Sequence, residues 1–199
     1  MLSKQTKGPE LTFLRDFIEQ AAIAGADLVQ IRERDVPART LYYLTEAVTG
    51  PARTAGSFIL VNDRADIAAS TGAGVHLTTR SLTAEVVRAA LSPDLLIGVS
   101  THTIEEAETA ERGGADFVVF GPVFATASKK EYGEPVGLEL LRRVTNRLSI
   151  PVLALGGIKL SNYREALNAG AAGVAGISMF AETHDLNKLV ATIKGRSGA

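Results

Sequence analysis

Residues 113–123 read GGADFVVFGPV. A glycine pair followed by a run of apolar and β-branched residues describes one local event: a helix ends, a glycine takes the left-handed conformation, and a strand enters the core. The phrase returns in degenerate form as AGADLV (24–29), TGAGVH (71–76) and AGAAGV (169–174). A repeat this short supports serial βα units rather than a solenoid.

Outward from these anchors, short apolar runs alternate with longer segments of helical period, the pattern of a parallel sheet covered by helices. Strands are expected at 27–32, 58–63, 74–78, 95–100, 116–123, 151–157 and 173–178. Helices are expected near 10–24, 38–55, 64–70, 83–91, 104–113, 137–148, 161–169 and 185–195. In LSNYREALNAG, Ser161 reads as the N-cap, with Gly170 just past the helix end.

Seven strands are one short of the eight that close a βα barrel. MLSKQTKGPE does not read as a buried strand, whereas the segment from Glu10 places Leu11, Leu14, Phe17, Ile18 and Ala21 on one helical face. The expected fold is α/β, a (β/α)8 TIM-type barrel with its first strand missing or atypical in this chain, as a single domain over residues 1–199. An exposed sheet edge at that place would invite pairing with another chain, which leaves room for a homo-oligomer.

Composition excludes several function classes. The 199 residues carry a net charge of −1 with the basic residues scattered, so nothing points to nucleic acid or a membrane surface as partner. With no cysteine, a disulfide framework, a thiol nucleophile and a cysteine-based zinc site are all ruled out. The N-terminus has no apolar run of signal-peptide length, and no segment approaches the about 20 apolar residues of a membrane span. A cytoplasmic location is expected.

In parallel α/β folds, ligands meet the carboxyl ends of the strands. Collecting those ends gives Gln30, Arg32 and Arg34, which alternation places on one face, then Asn62 and Asp63, Ser100 with His102 beyond it, Gly156 and Gly157, and Ile177 and Ser178. The loop GPVFATASKKEYGEP (121–135) adds Thr126, Ser128, Lys129 and Lys130. Cations, hydroxyls and glycine turns suit a phosphate-rich ligand, and Asp63 suits Mg²⁺. Ordinary readings stand beside these: Arg32 paired with Glu33, Asp63 capping the helix from Arg64, the glycines as a tight turn, the lysine pair as a solvated turn. His76 reads as a core or rim residue and His184 as surface, and the three histidines lack metal-site spacing.

VQIRERD, VNDRADIA, GVHL, GVSTHT, GADFVVFGPVFATASKK, PVGLELL, IPVLALGGI and GVAGIS, in order and in register, resemble the motifs of the thiamine phosphate synthase and thiazole tautomerase superfamily. The resemblance implies a βα barrel whose first strand ordinarily carries a motif like LYLITD, absent here. It also implies a transferase in thiamine biosynthesis that couples 4-amino-5-hydroxymethyl-2-methylpyrimidine pyrophosphate to thiazole phosphate. By the same resemblance, Gln30, Arg32 and Asn62 match pyrimidine pyrophosphate contacts, with Arg34 where lysine is usual. Asp63 matches a Mg²⁺ ligand and Ser100 a site hydroxyl. Thr126, Ser128 and Lys129 match the loop holding thiazole phosphate and pyrophosphate, and Gly157, Ile177 and Ser178 match the phosphate end. Lys129, Ser100 and Arg32 are the expected catalytic set, and Lys130 is expected to be mainly solvated.

One departure stands out against that pattern. After GVHL the chain reads TTRS (78–81), so Ser81 falls where the family carries a second Mg²⁺-ligating aspartate, and Arg80 adds a cation. The tautomerase branch also lacks that aspartate, but its acid/base histidine is matched here by Pro122. The alternatives are therefore a thiazole tautomerase-like isomerase, or a non-catalytic paralogue that keeps the phosphate site.

Overall fold

A computed structural model of the chain describes residues 9–33, 35–126 and 134–195. Seven parallel strands alternate with helices in chain order. The residues divide into two compact units, one holding the chain through His76 together with the segment from Phe180 onward, the other spanning Leu77–Met179.

The first unit opens on α1 (Pro9–Ile23), and residues 1–8, where the sequence offered no first strand, lie outside the described residues. Leu14, Ile18, Ala21 and Ala22 form its buried stripe, as the spacing predicts, while Leu11 and Phe17 are half-buried. Then follow β1 (Leu28–Ile31), α2 (Ala38–Thr54), β2 (Phe58–Asn62), α3 (Ala65–Thr71) and β3 (Gly74–Leu77), with α9 (Leu186–Ile193) at the far end of the chain. β1 pairs with β2 in parallel, Gln30 opposite Leu60 and Ile31 opposite Val61, and β2 pairs with β3, Asn62 opposite His76. Ile59, Val61 and Val75 are fully buried against Leu41, Val48 and Ile67, the continuous apolar content that parallel strands covered by helices require. The unit is tied at the N-terminal ends of its strands. Lys194 Nζ donates to Gly25 O (2.8 Å) and to Asp27 Oδ1 (2.6 Å), and Ser57 Oγ donates to Ala26 O.

The second unit carries α4 (Ala84–Ala90), β4 (Ile97–Thr101), α5 (Ile104–Arg112), β5 (Phe117–Phe120), α6 (Gly137–Arg147), β6 (Val152–Leu155), α7 (Tyr163–Asn168) and β7 (Gly173–Ala175). β4 to β7 pair in chain order, all parallel. Val118, Phe120, Ile97 and Ala154 are completely buried, as are Leu141, Val144 and Ala166 on the helices above them. At the N-terminal ends of these strands Arg88 acts as a clasp. It donates to Pro93 O (2.8 Å), to Gly114 O (2.6 Å) and to Asp116 Oδ2 (2.8 Å), and that same carboxylate oxygen accepts from Ile97 N (2.6 Å). Beside it, Glu111 Oε1 takes Ser149 N (2.7 Å), Ser149 Oγ (2.6 Å) and Ile150 N (3.2 Å).

All seven expected strands form, several shorter than the apolar runs that marked them. The last stops at Ala175, and Ser178 opens a four-residue helix, α8 (Ser178–Ala181), instead of ending a strand. Asn162, not Ser161, occupies the N-cap of α7, and its side chain makes no capping bond there. His76 is buried in β3 and His184 is exposed, as the sequence suggested. No helix among the described residues is long and apolar enough to cross a membrane.

Candidate functional site

In the first unit the register of β1 on β2 decides what meets. Gln30 lies opposite Leu60, so Asn62, two residues on, is its diagonal neighbour on the same face. Gln30 Nε2 donates to Asn62 Oδ1 (3.0 Å), and Asn62 Nδ2 donates in turn to Asp63 Oδ2 (2.7 Å). Each amide has one acceptor and one donor end, and this chain of bonds fixes which way both face. Three residues expected at the site are thereby brought into one relay.

Asp63 is the only non-glycine residue with positive φ among those described (φ 59). Its backbone N–H is held by His76 O (3.0 Å), which continues the β2–β3 ladder one step past the strand and turns the carboxylate back along Asn62. Asp tolerates the left-handed region better than most residues, yet the conformation still costs about 1 kcal/mol, and such outliers cluster at functional sites. Against the competing reading of Asp63 as cap of α3, Arg64 occupies the N-cap position, and its side chain makes no capping bond. Arg64 instead forms a two-pronged pair with Asp66 (2.6 and 2.8 Å), whose hydrogen bonds hold the Asp66 carboxyl below its usual range. Arg32 follows β1 directly and is half-buried. Arg34, Ser128, Lys129 and Lys130 lie outside the described residues.

In the second unit Ser100 sits in β4 near its C-terminal end, half-buried. The chain leaving β5 runs alongside the end of β6: Val123 N donates to Leu155 O (2.8 Å) and Phe124 N to Gly156 O (3.0 Å). It returns to the same place, with Val136 N on Pro122 O (2.8 Å) and Gly137 N on Val123 O (3.2 Å). The loop carrying Thr126 thus has a pinned neck. Gly157 shows why glycine is needed beneath it. Its φ is 64, and a Cβ there would stand 2.6 Å from Ala125 O and 2.7 Å from Phe124 O. Gly156 and Gly157 are therefore more than a tight turn; they let the outgoing chain lie directly on the end of β6.

Sequence reasoning missed Asn162. Its Nδ2 donates to Gly157 O (3.0 Å) while its Oδ1 accepts from Lys159 N (2.8 Å), bracing the glycine turn from outside. Asn three residues after GGIK (156–159) was the available signal. Ile177, part-exposed, and Ser178 lie beyond the end of β7.

The TTRS turn closes on itself. Ser81 Oγ accepts from Thr78 N (2.7 Å) and shares a hydrogen with Thr78 Oγ1 (3.1 Å), while Ser81 N donates to Thr78 O (3.0 Å). The Ser81 hydroxyl, expected from the family resemblance at a second metal-ligand position, takes part in the turn. No group of three or more His, Asp or Glu residues gathers among those described.

A family profile described as thiamine monophosphate synthase matches residues 6–180. A thiamine-phosphate synthase of Chlorobium phaeovibrioides is 46% identical over 171 residues, covering 85% of this chain and 80% of that one. One from Roseiflexus sp. is 42% identical over 166 residues, covering 83% and 70%. Among solved structures, thiamine phosphate pyrophosphorylase from Pyrococcus furiosus superposes with a TM-score of 0.84 at 32% identity, covering 94% of this chain and 91% of that one. The chain shares that fold, and its seven parallel strands alternating with helices bear out the α/β barrel class read from the sequence. Motif order, strand-end chemistry and overall similarity agree that the chain belongs to the thiamine monophosphate synthase family.

Proposed function

We propose that the chain is a thiamine phosphate synthase, a transferase joining 4-amino-5-hydroxymethyl-2-methylpyrimidine pyrophosphate to thiazole phosphate. The bond between the pyrimidine methylene carbon and the pyrophosphate oxygen breaks, with its electron pair leaving on pyrophosphate. The thiazole nitrogen lone pair then forms the new C–N bond, giving thiamine phosphate and pyrophosphate. Such a reaction needs orientation of two small molecules and charge stabilisation of the leaving group, which a set of amides, cations and backbone N–H groups supplies.

The observation that carries this reading is the Gln30–Asn62–Asp63 relay. With Gln30 Nε2 committed to Asn62, the Gln30 carbonyl oxygen is left as an acceptor suited to an aminopyrimidine N–H. Arg32 and Arg34 are assigned to the pyrophosphate oxygens, Arg for its planar set of donors. Ser100 is assigned to the pyrimidine, Thr126, Ser128 and Lys129 to thiazole phosphate and the departing pyrophosphate, and Gly157, Ile177 and Ser178 to the phosphate end. Small phosphorylated molecules are thus its partners, in the cytoplasm.

Mg²⁺ belongs to this proposal. The ion is commonly held by one or two carboxylates completed by water and phosphate oxygens, which suits Asp63 as the protein ligand. When bound, it supplies positive charge to the leaving pyrophosphate. With Ser81 engaged by Thr78, the TTRS turn contributes no carboxylate, and Mg²⁺ activation is expected to be weak. Synthase rate against Mg²⁺ concentration, measured for Ser81→Asp and for Ser81→Ala as control, should show half-saturation several-fold lower for the aspartate. Equal curves for the two variants, both as tight as wild type, would place the second ligand elsewhere.

The deciding experiment incubates the purified protein with both synthase substrates and Mg²⁺, and separately with the thiazole carboxylate tautomer. Thiamine phosphate with one equivalent of pyrophosphate is expected in the first. Turnover only in the second would make the chain a tautomerase. Saturable binding with no product in either would make it a non-catalytic paralogue.

A further inference from the structure

We propose that His102 is a positioning residue for the synthase reaction, fixing the root of the loop that leaves β5. This rests on the synthase reading for its kinetic consequence, though not for its geometry.

The sequence THTIEE (101–106) closes a reciprocal cap at the start of α5. Thr103 Oγ1 accepts from Glu106 N (3.1 Å), and Glu106 Oε2 reaches back to His102 N (2.6 Å), one residue beyond the ordinary capping box. His102 is thus held by its backbone to the first turn of a nine-residue helix. From there its ring Nδ1 hydrogen-bonds Gly121 O. A carbonyl oxygen can only accept, so Nδ1 carries the proton in this contact.

Gly121 is gripped on its other side as well, its N–H donating to Thr101 O (3.2 Å). One residue is therefore fastened through both its N–H and its C=O to consecutive residues at the end of β4. Two residues later the chain is fastened to β6 through Val123 N and Phe124 N, and Gly157 lies against the carbonyls of Phe124 and Ala125. The segment 121–124 is a strap with one end on β4 and the other on β6. Ser100 is two residues before His102 and Thr126 two residues after Phe124, so the strap fixes the distance between two assigned site residues. The β6 end is set by backbone and glycine; at the β4 end one backbone bond, Gly121 N to Thr101 O, is joined by a single side chain, the His102 imidazole.

Asparagine places its amide nitrogen where histidine has Nδ1, and glutamine places its own nearer Nε2. In the synthase assay His102→Ala is expected to lower kcat/KM by about ten- to a hundredfold, with KM for thiazole phosphate raised and kcat reduced together. His102→Asn should recover most of this and His102→Gln little. Unchanged kinetics in His102→Ala, or recovery by Gln and not by Asn, would overturn the proposal. The ring nitrogen NMR shifts of the wild-type protein give a test independent of turnover and of mutant folding: a proton on Nδ1 is expected, and an Nε2–H tautomer would overturn it. Should the wild type make no thiamine phosphate, the synthase reading fails by itself, and the tautomer alone decides the anchor.

Discussion

In the second unit the two ends of the same strands are held by opposite means. At the N-terminal ends long side chains satisfy backbone groups: Arg88 gathers the carbonyls of Pro93 and Gly114 and the carboxylate of Asp116, and Glu111 gathers Ser149 and Ile150. At the C-terminal ends the backbone mostly holds itself, through the strap at 121–124 and the left-handed glycines 156 and 157, with His102 and Asn162 as side-chain additions. The first unit repeats the division, with Lys194 and Ser57 at one end and the backbone bond from Asp63 N to His76 O at the other. Anchoring by backbone leaves side chains at that end available to a ligand. Anchoring by side chain consumes them in stability.

If that division is right, a change at one end should damage catalysis and a change at the other stability. The largest effect is expected from Gly157→Ala. Its Cβ would be driven onto the carbonyls of Phe124 and Ala125 at a φ that costs about 1 kcal/mol, displacing the strap. A fall in kcat/KM of about a hundredfold is expected, with only a modest shift in Tm. A variant with full activity would break the comparison.

Arg88→Ala tests the other end. Several carbonyls and one carboxylate lose their donor at a partly buried position, and a loss of about 2–3 kcal/mol is expected from urea unfolding. Steady-state constants well below the unfolding transition should stay within about twofold of wild type. A large rise in KM without loss of stability would show that the clasp reaches the chemistry.

The smallest effect concerns pH. The Ser149 hydroxyl, and then the Ser149 and Ile150 N–H groups, favour ionised Glu111 and lower its pKa. Its contribution is therefore complete above the usual glutamate value of about 4.3 and is lost as the pH falls through the lower folded value. Glu111→Gln should cost less than about 1 kcal/mol at neutral pH, since the group is partly solvated. The gap to wild type should narrow in acid; a gap that widens there would contradict the assignment.

The strands were legible because β-branched apolar runs bounded by glycine have few other uses, and Gln30 and Asn62 could both be placed at strand ends, but the bond between them depends on the β1–β2 register, which the sequence does not show. The arrangement that fixes Asp63 was not legible, since its φ depends on His76 O across a strand pair. Arg88 was equally silent. Its partners are mostly backbone carbonyls, which leave no residue signature. Ser161 and Asn162 were both competent caps, and side-chain identity alone could not choose between them. α8 is four residues long, too short for any period to show.

The pinned neck at Pro122–Val136 and Val123–Gly137 has a consequence for engineering. When the two ends of a loop are already fastened together, the fold is nearly indifferent to how many residues lie between them, because doubling the length adds only about 0.6 kcal/mol of closure entropy. The stretch between Phe124 and Pro135 is in this sense an exchangeable cassette. Longer or shorter inserts from other phosphate-handling proteins can be grafted there, and selection can act on ligand choice while the barrel strands stay untouched.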